Sequence, residues 1–67
     1  MPSDLDRVRV LLPHWMEHNE EHAQEFRQWA DRVSAAGSEA AASAMVAAAE
    51  AMEKVNEELR AALAALG

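Results

Sequence analysis

The chain contains no cysteine and no tyrosine, one phenylalanine, two glycines and two prolines in 67 residues. Without cysteine it has neither a disulfide framework nor a thiolate metal site, so a chain this short must be stabilised by a bound metal or by self-association. A lack of disulfides also suits a reducing compartment. Basic residues are scarce, six against twelve acidic ones, for a net charge of −6. Such a chain repels phosphate backbones, which argues against nucleic acid and favours cationic partners. No run approaches the ~18 consecutive apolar residues of a membrane span, and the opening MPSDLDRVRV lacks the basic and apolar regions of a secretory signal. A soluble, cytoplasmic protein without membrane or nucleic-acid partners is expected. There is also no glycine-rich phosphate loop and no nucleophile set beside a base, so an enzyme is not expected.

What remains is helix. Half the residues are hydrophobic, but many are alanine, which lets helices approach closely while burying little area per residue. Ser3 before Asp4-Leu5-Asp6 is an N-cap followed by carboxylates suited to the positive end of a helix dipole. Leu5, Val8, Leu12, Met16, Asn19, Ala23, Phe26, Ala30 and Val33 then alternate steps of three and four without losing phase across Pro13. The proline deletes one backbone hydrogen bond, so it kinks one helix of about 4–35 or breaks it near 11–13; the unbroken phase favours the kink. Ala35-Ala36-Gly37-Ser38 is the strong turn signal, with Gly37 suited to a left-handed position and Ser38 to the next N-cap. A second helix of about 39–66 carries the seam Ala41, Met45, Ala48, Met52, Val55, Leu59, Ala62 and Leu66.

Folding about Gly37 makes an all-α antiparallel hairpin over 1–67, with Val33 near Ala41, Phe26 near Ala48, Asn19 near Val55 and Leu12 near Ala62. Its apolar stripes are widened by Leu11, Trp15, Trp29, Val46 and Leu63, more than two helices can cover. A homodimer closing into a four-helix bundle is the economical solution, with Trp15, Trp29 and Phe26 as interface anchors.

The chemistry is concentrated in one segment. His14, His18 and His22 recur every four residues and so form one stripe of a helix, drifting about 40° per step. Glu25 lies three residues beyond His22. His18 and His22 on adjacent turns can hold a divalent transition metal, zinc or nickel before copper, with Glu25 as a third ligand and His14 as an outer one. Glu53 and Glu57 of the second helix are candidates to complete the coordination. The alternative is that these histidines are solvated, bonded to neighbouring glutamates, or responsive to pH, and that the hairpin is a metal-free interaction module. Asn19 breaks an apolar seam; it is either a register device, paired with Asn56 or a symmetry mate, or a partner that orients His18 or His22.

Two motif tests fail. His18-Asn19-Glu20-Glu21-His22 satisfies the inverted zinc-protease string, but the chain has no room for a substrate cleft and a distant third ligand. The di-iron Glu-x-x-His pattern is missing, because Leu11, Trp15 and Asn19 precede the three histidines.

The run LLPHWMEHNEEHAQEFRQWADRV, from Leu11 to Val33, resembles the first helix of short prokaryotic helical-hairpin proteins of unassigned function, which carry an HWxEHNxEH core followed by Phe/Tyr-x-x-Trp-Ala. The resemblance implies a small helical bundle and singles out His14, His18, Asn19 and His22. Pro13 departs from that pattern.

Overall fold

The computed structural model describes residues 3–67; Met1 and Pro2, part of the expected 1–67 domain, lie outside the described residues. Two helices, α1 (Asp4–Ala35) and α2 (Glu39–Ala65), pack against each other as an all-α hairpin measuring 54 × 17 × 11 Å. Among the described residues no helix is long and apolar enough to cross a membrane.

The start of α1 is held by a reciprocal cap. Ser3 Oγ accepts from the Asp6 backbone N–H, and the Asp6 carboxylate accepts from the Ser3 backbone N–H, each at 3.1 Å. Two of the donors that a helix start leaves unpaired are thereby satisfied. α1 then runs through Pro13 without a break. The proline costs the Arg9 carbonyl its usual donor, but the apolar positions on both sides stay in phase, and packing against α2 holds the helix together.

At the turn, Gly37 adopts φ +104°, a region that L side chains disfavour. The Gly37 N–H donates to the Ser34 carbonyl at 3.0 Å and the Ser38 N–H to the Val33 carbonyl at 3.1 Å. This is a Schellman termination, which satisfies the last carbonyls of α1. Ser38 differs from expectation. It precedes α2, but its side chain makes no capping hydrogen bond. The Ser34 hydroxyl instead donates to the Glu39 carboxylate, which ties the end of α1 to the start of α2.

On α1 the observed seam follows the sequence pattern. Leu12, Ala23 and Ala30 are buried, and Val8, Met16, Asn19, Phe26 and Val33 are partly buried. Only Leu5 departs, at 55% exposed. On α2 the seam is rotated. Met45, Met52, Leu59 and Leu66 face inward as expected, but Ala42, Ala49, Asn56 and Leu63 take the places assigned to Ala41, Ala48, Val55 and Ala62. Two heptad readings share the first four residues and differ by one position in the other four. Hydropathy favours the reading that buries Val55, yet Val55 is 44% exposed and Asn56 only 7%.

A pair of amides explains the reversal. The Asn19 side-chain amide donates to Asn56 Oδ1 at 3.0 Å, and Asn56 Nδ2 donates to the Met16 carbonyl at 2.8 Å. Asn19 lies in the α1 seam, and leaving a part-buried amide unpaired costs about 1–3 kcal/mol, comparable to burying one more valine. Rotating α2 by one residue pairs Asn19 and still buries alanines along the rest of the seam. Of the two roles open to Asn19, the register device is the one these contacts serve. The pair also shifts the expected pairing by one residue, placing Asn19 against Asn56 rather than Val55.

Candidate functional site

Cross-sections of the hairpin are strongly asymmetric. At about 100° per residue, Glu20, Gln24 and Arg27 of α1 share a flank with Glu53, Glu57 and Arg60 of α2. These six, with Ala23 and Asn56, line a cleft of about 320 Å³. Arg27 and Glu53 are ion-paired across it at 2.5 Å. The sequence reading missed this cleft, although an antiparallel register with i, i+3, i+4 and i+7 spacing on both helices would have located it.

The histidines lie on the other side of α1. His22 is half-buried at the seam edge, and His18 and His14 are exposed, in the order their drift around the helix requires. Their rings form a ladder. Centroids are 6.1 Å apart for His14 and His18 and 5.0 Å for His18 and His22, and His22 stacks on Phe26 at 6.0 Å. Phe26 thus fixes the inner end of the stripe by packing. Among the described residues, none of the three rings makes a side-chain hydrogen bond or an ion pair with the protein.

The proposed ligands are only partly brought together. His18 and His22 are neighbours, and His14 extends the row. Glu53 and Glu57 lie on the opposite flank, where Glu53 pairs with Arg27 and Glu57 pairs with Lys54 at 3.3 Å. They stand at the level of the histidines along the hairpin but face away from them. A different carboxylate pair does approach: His14, Glu17, His18 and Glu21 line one shallow hollow of about 250 Å³. Positions 14, 17, 18 and 21 are spaced as neighbours on a helix face, so the signal for Glu17 was present in the sequence. Among the described residues no group of three His, Asp or Glu side chains is gathered tightly enough to hold an ion without rearrangement.

Trp15 and Trp29, expected as interface anchors, are exposed at 43% and 54%. Trp29 is covered on one side by the Arg32 guanidinium, 4.7 Å from the ring centroid, a cation–π contact that retains a solvated charge over an apolar ring.

Residues 8–66 match the profile of a family described as "Domain of unknown function (DUF8180)". The chain belongs to this family. The match spans the histidine stripe, the turn and nearly all of α2. No curated protein and no solved structure matched the chain.

Proposed function

We propose that this hairpin binds a divalent transition metal, zinc or nickel, through its histidine stripe, and that it sequesters, delivers or senses the ion rather than performing catalysis. The observation that supports this is the pair of accessible rings of His18 and His22, 5.0 Å apart on adjacent turns. Two imidazoles at this spacing need only small side-chain rotations to share one ion. Glu17, Glu21 and Glu25 add negative charge on the same side of α1, which concentrates cations there. Since three ligands are not gathered within one chain, the remaining positions fall to His14, to a nearby carboxylate, to solvent or to a second copy in a homodimer.

Calorimetric titration of zinc and nickel into chelator-treated protein, with native mass spectrometry for stoichiometry, tests this. One ion per chain or per dimer is expected, with affinity reduced at least about tenfold in His18→Ala and His22→Ala. No stoichiometric uptake, or uptake unchanged in both variants, would overturn the reading.

A second reading is supported by the exposed Trp15 and Trp29: a cytoplasmic, metal-free interaction module that uses its apolar, tryptophan-bearing face. It predicts a melting temperature indifferent to chelator and a marked loss of association in Trp29→Ala.

A further inference from the structure

The flank opposite the charged cleft is small and apolar along most of α2, with one carboxylate, Glu58, between Val55 and Ala62. Ala41, Ala44, Ala48, Ala51, Val55 and Ala62 follow one another along it, displaced from the seam by the one-residue rotation that buried Asn56. Beside this low strip, α1 raises a ridge of Leu11, Trp15, Phe26 and Trp29, of which Leu11, Trp15 and Trp29 are exposed. His18, His22 and Glu25 stand on the same side of α1, between Trp15 and Trp29.

We infer that this flank is covered by a second copy of the same chain, with a twofold axis running along the hairpin so that the α1 ridge of each copy lies on the alanine strip of the other. Three observations favour this occupant. The surface is self-complementary: rotation about the long axis exchanges ridge and strip, so both bulky-on-small contacts form at once, as an isologous interface requires. The broad face, bounded by extents of 54 and 17 Å, is on the order of 900 Å², close to the ~800 Å² per partner of a stable interface. The single hairpin is also underfilled, since its buried residues are Leu12, four alanines and Asn56, and a chain this short rarely supplies enough core by itself.

This inference rests on the interaction reading, and it can fail separately. Sedimentation in chelator should show a dimer for the unmodified chain. Ala48→Glu should weaken association at least about 100-fold by burying a carboxylate in the strip, while Glu57→Ala on the opposite flank should leave it unchanged. If Ala48→Glu loses helix content, the unmodified chain still decides: tryptophan emission should move to longer wavelength on dilution through the dimer–monomer transition. A monomer up to roughly millimolar concentration, a dimer that forms only with added metal, a folded Ala48→Glu that still dimerises, or emission constant across dissociation would each overturn the inference. A melting temperature that changes with chelator would instead count against the interaction reading itself.

Discussion

α1 and α2 meet along one seam but are built on opposite plans. α1 places bulk at chosen positions, with Leu12, Met16 and Phe26 facing inward and three histidines on a separate stripe. α2 has alanine on every side, so little distinguishes its faces. α1 therefore specifies its own buried side, whereas the orientation of α2 is decided by Asn56 and by what α1 leaves room for. Ala49, fully buried, marks a level at which α2 lies close against its partner helix. One helix is sensitive to lost volume and the other to added volume.

The sharpest test of that asymmetry is a pair of opposite substitutions. Leu12→Ala, at a site 3% exposed, should cost about 2–3 kcal/mol, the low end for a buried leucine because a narrow two-helix seam can partly collapse. Ala49→Leu should cost about 1–3 kcal/mol by forcing the helices apart. Against a total stability on the order of 3–10 kcal/mol for a chain this size, both losses are readable by urea denaturation followed by circular dichroism. If Ala49→Leu were neutral, α2 would not be in close contact there, and the contrast between the helices would collapse.

Next in size is the amide pair. Asn56→Ala leaves the Asn19 amide and the Met16 carbonyl without their partner, at an expected cost of about 1–2 kcal/mol. Replacing both Asn19 and Asn56 with leucine should recover most of this stability, since removing both polar partners can be nearly neutral. The structural readout is separate: the double variant loses the reason for burying position 56 rather than 55, so hydrogen exchange should show α2 sampling a second register. A double variant as destabilised as Asn56→Ala would show that the amides supply stability instead of selecting the register.

The same contrast explains what could be read from the sequence. On α1, apolar residues separated by polar ones leave one phase that fits, and the observed seam follows it through Pro13. On α2 two phases compete, because Ala41 and Ala42, or Ala48 and Ala49, are the same residue in adjacent positions, and hydropathy separates the phases only at Val55 or Asn56 and at Ala62 or Leu63. The deciding term was a side-chain hydrogen bond between residues 37 apart in sequence, which period counting does not weigh. The histidine stripe was legible as a stripe because a single helix carries it. Glu53 and Glu57 fall on the flank away from it, beside Arg27, because which flank of α2 meets which flank of α1 is a tertiary relation that spacing along one helix does not carry. Glu17 lies on α1 itself, three residues after His14 and four before Glu21, so its place beside the stripe needed no knowledge of α2.

The turn and the cap give smaller effects at the two ends of α1. Gly37→Ala meets no neighbouring atom within 4 Å, so its cost is that of holding an L residue at φ +104°, about 1–2 kcal/mol. A drop in melting temperature without loss of helix content is expected. Smaller still is the cap. Hydrogen bonds from the Ser3 backbone N–H and hydroxyl, with Arg9 nearby, hold the Asp6 carboxyl below its ordinary value of 3.8. A carboxylate with a lowered folded pKa stabilises the folded state above its ordinary value, and that contribution fades as pH falls through the folded one. Comparing the unmodified chain with Asp6→Ala isolates it from the other carboxylates. The stability gap should be constant from neutral pH down to about 5 and close progressively below the ordinary Asp value. A gap independent of pH would mean that Asp6 acts through packing, since the capping box loses its charged acceptor when the carboxyl is protonated.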